Sequence, residues 1–279
     1  MDKIMSGKEC STYIKEKLKK EISNINQKLK LAVIRIGEYE ASKIYVNGKR
    51  KACEEVGIEL IEIHFDETVT TEEVNKKILE LNNNKEITAI LMQLPIPNHL
   101  DKDFLINQID YKKDVDGLSI INVGRLNCGL NSIIPGTPKG IIELLKYNNI
   151  TLNGKHVVVI GRSNLVGKPL ISLLLKENAT VTICHSKTKD LKFYTEKADI
   201  LISAVGKKQF ITSDMVKENS IVIDVGITRE SNSKKIYGDV DFDNVMKKVD
   251  KITPVPGGVG VMTVTSLLSN VLECYRLQK

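Results

Sequence analysis

A series of valine- and isoleucine-rich runs punctuates the chain, and between them lie segments whose apolar residues recur at helical spacing. The runs are LAVIRIG (31–37), IELIEIH (58–64), ITAILMQL (87–94), HVVVIG (156–161), TVTIC (180–184), DILISAVG (199–206) and SIVIDVG (220–226). Strands that are apolar at nearly every position, rather than at alternate ones, must be covered on both faces. Helices lying between successive strands supply that cover. The predicted fold class is therefore α/β, built on parallel sheets. A chain of 279 residues has the length for two modest domains, each with its own core.

The alternation breaks at IIPGTPKG (133–140), where two prolines and two glycines fall together. It breaks again at TPVPGGVGV (253–261), ahead of a stretch in which Val264, Leu267, Leu268, Val271, Leu272 and Tyr275 recur at helical spacing. The expected organisation is an N-terminal domain over 1–137, a second domain over 138–261, and a last helix, 262–279, that completes the first domain. Periodicity alone does not assign that helix to either domain.

Composition removes several function classes. The basic excess, 41 residues against 35 acidic, is spread along the chain, and aromatics are only 5% with no Trp. Nucleic-acid surfaces cluster their basic residues and interleave aromatics, so no nucleic-acid partner is expected. Cys10, Cys53, Cys128, Cys184 and Cys274 form no close pair, and the four histidines are dispersed. Neither a disulfide framework nor a metal site is expected. No run is long enough to span a bilayer, and the first residues lack a signal core. The expectation is a soluble cytoplasmic protein.

The strongest local signal is HVVVIGRSNLVGKPL (156–170). A buried strand ends at Gly161, a short turn follows, and a helix begins near Pro169, a residue suited to a first helical turn. Gly161 and Gly167 permit a tight turn and close approach of a ligand, whose pyrophosphate the free helix amides can receive. Ser163 replaces the second glycine of the usual G-x-G-x-x-G pattern, so the turn alone is a weak signal. The end of the next strand adds to it. An NAD site usually carries an acid there, about 20 residues beyond the turn. This chain has His185, Ser186 and Lys187, and no acid before Asp190. With Arg162 they would welcome a 2′-phosphate through charge-assisted hydrogen bonds, so NADP is expected over NAD. A solvated basic turn is the bland alternative. Val205–Gly206 and Val225–Gly226–Ile227 would add to the pocket wall.

In the first domain Tyr45 and Lys49 stand four residues apart, which puts both on one face of a helix. Tyr-x-x-x-Lys also marks short-chain dehydrogenases, but there the pair follows the dinucleotide turn, and here it precedes it. Gln93 sits in MQLPIP, where prolines stop the strand. Asp114 and Asp116 sit in KDVDGLS, for which a turn or cap role is the default. PGGVG (256–260), just before a helix, implies backbone approaching something closely.

Taken together, ASKIYVNGKRKACEEVGI, LMQLPIP, KDVDGLSIINVGRL, GRSNLVGKP, TVTICHSKT, SAVGK, IDVGI and PVPGGVG resemble the bifunctional methylenetetrahydrofolate dehydrogenase–methenyltetrahydrofolate cyclohydrolase family, in family order and nearly end to end. The resemblance implies two α/β domains around a cleft, the second a Rossmann-like doubly wound parallel sheet, usually in a homodimer. It implies that Lys49, Tyr45, Gln93 and Asp116 are catalytic, with Gln93 positioning Lys49 and Asp116 holding the pterin. The folate would contact Tyr45, Lys49, Met92, Gln93, Leu94, Asp116 and the turn Pro256, Gly257, Gly258, Val259 and Gly260. NADP would be bound by Gly161, Arg162, Ser163, Ser186 and Ile227. The partners implied are one-carbon derivatives of tetrahydrofolate, in one-carbon metabolism serving purine biosynthesis. Two positions depart from the family pattern: Gly136 stands where Cys is usual, and Val261 where Pro is. Neither carries a proposed catalytic group. The residues themselves leave two other readings open, an NADP-dependent dehydrogenase of another small substrate and a non-catalytic NADP-binding regulator.

Overall fold

The computed structural model describes residues 3–229 and 235–279. In chain order the first part runs α1 (Gly7–Ser23), β1 (Lys30–Ile36), α2 (Glu40–Val56), β2 (Glu59–Phe65), α3 (Thr71–Asn83), β3 (Ala89–Met92), α4 (Lys102–Gln108) and α5 (Ile120–Asn127). It continues through α6 (Gly136–Tyr147), β4 (His156–Ile160), α7 (Gly167–Lys176), β5 (Thr180–Cys184), α8 (Leu191–Thr195) and β6 (Ile200–Ser203). A 3-10 turn (Ser213–Met215) leads to β7 (Ile221–Asp224), β8 (Thr228–Arg229), β9 (Ile236–Tyr237), α9 (Phe242–Lys248), β10 (Lys251–Ile252) and α10 (Val259–Leu277).

Two compact units result. One holds Tyr13–Gly136 with Val264–Lys279. The other holds residues 3–12 with the described part of Thr137–Thr263. The first residues thus group with the second unit, whereas the sequence reading had them in the first. The cause is local pairing: Ile4 bridges Ile252 in parallel, and the Met5 amide donates to the Ile252 carbonyl at 2.8 Å. The N-terminus extends the sheet beyond β10, an edge of only two residues that no hydrophobic pattern announces.

In the unit of Tyr13–Gly136 and Val264–Lys279, three parallel strands lie in the order β2-β1-β3. Successive residues of β1 feed opposite cores. Leu31 and Val33 pack with Leu267, Leu268, Val271 and Leu272 of α10, while Ala32, Ile34 and Ile36 pack with Val74 and Ile78 of α3. This is why β1 reads as continuously apolar. Helix α3 starts on a capping box, in which the Thr70 hydroxyl accepts from the Glu73 amide and the Glu73 carboxylate accepts from the Thr70 amide. The buried Lys113 ammonium ends it, donating to the carbonyls of Leu81, Asn82 and Asn84.

The second unit carries five parallel strands in the order β10-β7-β6-β4-β5. Renumbered within the unit, this is the doubly wound order 2-1-3-4-5, which reverses direction between β4 and β6. Ligands of such sheets bind outside the carboxyl ends of the strands at that reversal.

Candidate functional site

In the first unit the candidate residues converge at the carboxyl ends of its strands. Lys49 lies on α2, which follows β1, and Gln93 directly follows β3. The Lys49 ammonium donates to Gln93 Oε1 at 2.7 Å, and Gln93 Nε2 donates to the Leu94 carbonyl at 2.7 Å. Gln93 is buried, and its backbone amide donates to the Ile34 carbonyl of β1. Both ends of its side chain and its main chain are therefore held, so the amide oxygen is a fixed acceptor for the lysine. Met92 is buried in β3, Leu94 is partly buried, and the Leu94–Pro95 peptide is cis.

Burial holds the Lys49 amine below its ordinary pKa, against the opposing pull of Asp116 and Cys53. Burial raises the Asp116 carboxyl to about 6; neighbouring Asp114 adds to the rise and Lys49 opposes it. Asp116 thus holds its proton to higher pH than an ordinary aspartate and is electrostatically coupled to Lys49. Tyr45, one helical turn before Lys49, is 51% exposed, so its ring is open to contact a ligand. One turn after Lys49, Cys53 is fully buried with its thiol pushed up to about 12, which removes it as a nucleophile.

The two acids of KDVDG separate in role. Asp114 is buried and accepts from the amides of Gly117 and Ser119 and from Asn122 Nδ2, so it builds the turn. Among the described residues the Asp116 carboxylate builds no such turn and instead interacts electrostatically with Lys49. The turn role is therefore correct for Asp114 alone.

In the second unit Gly161 ends β4 at the sheet reversal. Its φ is +120°, and a Cβ there would meet the Ala204 carbonyl oxygen at 2.5 Å, so only glycine fits between the β4 and β6 exits. A Cβ on Gly167 would strike the Gly161 carbonyl, which brings the start of α7 against the turn. Ser163 Oγ accepts from the Val166 amide, so this serine shapes the turn that the missing second glycine would otherwise shape. Arg162, Ser163 and Ser186 are all exposed. The His185–Thr188 turn is closed by His185 N donating to Thr188 Oγ1 and Thr188 N donating to the His185 carbonyl. Asp190, the nearest acid, N-caps α8, where its side chain accepts from the Phe193 amide. The Asp190 carboxylate is thereby committed to the cap, and the exposed Arg162, Ser163 and Ser186 fit a 2′-phosphorylated dinucleotide.

The PGGVG turn divides in two. Val259 and Gly260 already belong to α10, which starts earlier than residue 262 as expected from the hydrophobic pattern. Gly260 lies against Ile227, a Cβ on the glycine coming within 3.4 Å of Ile227 Cδ1. What the backbone approaches at Gly258 is the chain itself: a Cβ there would meet the Pro254 carbonyl, and Gly7 packs on the Gly258 carbonyl. Those glycines are required by internal packing before any ligand is considered. Sequence reasoning missed a buried pair, Asp224 and Asp239, whose only signal was an acid at the end of an otherwise apolar strand and another in GDVD.

Residues 5–116 match the model described as tetrahydrofolate dehydrogenase/cyclohydrolase, catalytic domain. Residues 135–279 match the tetrahydrofolate dehydrogenase/cyclohydrolase, NAD(P)-binding domain. The chain belongs to the tetrahydrofolate dehydrogenase/cyclohydrolase family. Among family members, the bifunctional protein FolD of Agathobacter rectalis is 50% identical over 99% of this chain and 100% of its own. The crystal structure of the bifunctional enzyme FolD, methylenetetrahydrofolate dehydrogenase/cyclohydrolase, from Campylobacter jejuni superposes with a TM-score of 0.95 at 47% identity, covering 99% of each chain. The Trypanosoma brucei methylenetetrahydrofolate dehydrogenase-cyclohydrolase, solved with NADP cofactor and inhibitor, has a TM-score of 0.92 at 34% identity, covering 99% of this chain and 97% of its own. Both family domains thus run through the two units, the NAD(P)-binding one over the five-stranded sheet. Among the described residues no helix is long and apolar enough to cross a membrane.

Proposed function

We infer that this protein oxidises methylenetetrahydrofolate to methenyltetrahydrofolate with NADP and hydrolyses the product to formyltetrahydrofolate. The observation that carries the reading is the half-buried Lys49 amine, held on Gln93 at 2.7 Å, with its pKa lowered by burial and Asp116 beside it. A simple dehydrogenase of this folate has no need of such a group. Hydride loss from a carbon bonded to two nitrogens leaves a cation that those nitrogens stabilise, so orientation of the reactants dominates that step.

NADP, when bound, supplies the hydride acceptor. Gly161 and Ser163 would give it the turn at the sheet reversal, Arg162 and Ser186 would hold its 2′-phosphate, and Ile227 would pack against it. Folate would be positioned by Asp116 on the pterin and by Tyr45 stacking on its ring, with Met92 and Leu94 also in contact.

The hydrolytic step needs proton transfers. Water adds its oxygen to the methenyl carbon while Lys49, as the free amine, takes the proton. One carbon–nitrogen bond then breaks, the departing nitrogen receives a proton from the Lys49 ammonium, and the hydroxyl proton of the adduct leaves to solvent as the formyl carbonyl forms. Net, one water is consumed and one proton released. An ordinary lysine, pKa about 10.4, would be almost wholly charged at neutrality and unable to start this sequence. Burial lowers that value, and a cationic substrate lowers it further. Gln93 aims the amine. We place the protein in the cytoplasm, as a homodimer.

The test is nicotinamide reduction with methylenetetrahydrofolate, using NADP and NAD in parallel. Reduction that requires the folate and favours NADP supports the reading. Reduction with a carbonyl or hydroxyl substrate and none with the folate overturns it, as does NADP binding without any turnover.

A further inference from the structure

Asp239 is fully buried, and among the described residues the hydrogen bonds to its carboxylate come from one short segment. Oδ2 accepts from Ser203 Oγ at 2.9 Å and from the Val205 amide at 2.8 Å, and Oδ1 accepts from the Lys207 amide at 2.8 Å. That segment is the exit of β6. It is the strand end that meets Gly161 across the sheet reversal, with the Ala204 carbonyl lying where a Gly161 Cβ would be. Asp239 therefore ties down the backbone on either side of Ala204, the residue that faces Gly161.

Asp239 is itself held by a second buried carboxylate. Asp224, the last residue of β7, accepts from the backbone amides of Asp239 and Val240, each at 2.9 Å, and from the Gly226 amide at 2.9 Å. The last of these bonds shapes the turn that delivers Ile227. The Asp224 amide in turn donates to Thr253 Oγ1 at 2.7 Å. The fit leaves no slack: a Cβ on Gly226 would strike Asp239 Oδ1, and a Cβ on Gly238 would strike the Asp224 carboxylate. Two carboxylates buried within electrostatic reach of each other are costly to keep, and burial with the charge of Asp239 pushes the Asp224 carboxyl up to about 6. What this pair provides is a fixed arrangement of backbone amides at two neighbouring strand ends.

We propose that Asp239, held by Asp224, is a positioning residue of the cofactor site, fixing the β6 exit turn against Gly161 so that the dinucleotide is received there. The proposal rests on the NADP-dependent function inferred above. Asp239 touches no substrate; its effect passes through the 203–207 turn. It therefore bears on cofactor binding and leaves the chemistry of Lys49 alone.

Asp239→Asn tests it. The amide keeps the shape but presents an NH2 group towards donors, so at least one of the three bonds is lost to a donor–donor contact. Three readouts are taken on wild type and variant: thermal midpoint, NADPH affinity by nicotinamide fluorescence, and hydrolysis of methenyltetrahydrofolate with no cofactor present. The expected result is NADPH binding weakened about tenfold, with cofactor-free hydrolysis within about twofold of wild type. Unchanged NADPH affinity in the folded variant overturns the proposal. A parallel fall of affinity and hydrolysis also overturns it, because that is the signature of general destabilisation. If Asp239→Asn does not fold, Ser203→Ala, which removes a single side-chain bond, should weaken NADPH binding about threefold, and an unchanged affinity there refutes the idea. Failure of the wild-type protein to bind NADPH at all would instead overturn the functional reading, and the proposal with it.

Discussion

Replacing Lys49 by Met removes the amine while keeping a flexible side chain of similar length in the same channel. General acid–base catalysis by a placed side chain contributes about 10²- to 10⁴-fold, so hydrolysis of methenyltetrahydrofolate should fall by that factor. Stability should move little, because two terms oppose each other. Burial disfavours the charged amine, and its removal is a gain; the Gln93 oxygen then loses the donor now at 2.7 Å, a loss of about 1–3 kcal/mol. The pH dependence carries a second signature. The folded amine titrates below the ordinary lysine value, so between the two the unfolded chain holds a proton that the native protein has released. Wild-type stability therefore rises with pH across that window, and the Met variant should lose the rise. Wild-type hydrolysis should also climb with pH through the folded pKa as the free amine appears, whereas the residual rate of the variant should lack that limb. The assay is decay of methenyl absorbance across pH, with NADPH fluorescence titration confirming an intact cofactor site. Hydrolysis within a few-fold of wild type, in a folded variant that still binds NADPH, would refute the role given to Lys49.

Further expectations concern the cofactor turn and the buried acid. Arg162→Ala together with Ser186→Ala should raise the KM for NADP about tenfold or more while leaving the KM for NAD nearly unchanged; steady-state kinetics with both cofactors decides it. Asp190→Ala should lower the thermal midpoint through loss of the α8 cap, about 0.5–2 kcal/mol, without changing the preference for NADP, since its carboxylate is occupied by the Phe193 amide. Asp116 titrates at about 6 in the folded protein, above its ordinary value of 3.8, so ionising it works against the fold as pH rises between those values. Asp116→Asn should therefore gain stability relative to wild type over that interval and hold the gain above it, while losing folate affinity; paired thermal melts at stepped pH measure the first effect.

The larger architecture was legible because burial on both faces leaves a visible trace. Strands β1, β3, β4 and β6 are buried at nearly every position, the edge strands β2 and β5 only in part, and each of β1 to β7 lies within or beside a run read from the sequence alone. Strands β8, β9 and β10 are each two residues long, too short for any periodicity, and β10 is the strand that recruits the N-terminus. Local pattern also placed Tyr45 and Lys49 on one helical face. It gave no means of seeing that Gln93, 44 positions away, would meet the lysine, because that contact depends on β1 lying beside β3. Resemblance to a family supplied it. Asp114 and Asp116 look alike in KDVDG, and only the direction of each side chain separates the residue that builds the turn from the one left free. Asp224 and Asp239 left almost no trace, since their partners are mainly backbone amides, which every residue type but proline can provide.

One progress curve tests the central claim most directly: wild-type protein with methylenetetrahydrofolate and NADP, following reduced nicotinamide and methenyl absorbance together. Nicotinamide reduction that runs on while the methenyl signal rises only transiently is the predicted result, with both steps carried out by this chain. Methenyl accumulating in step with nicotinamide reduction would contradict the hydrolytic role of Lys49, and no reduction at all would contradict the whole assignment.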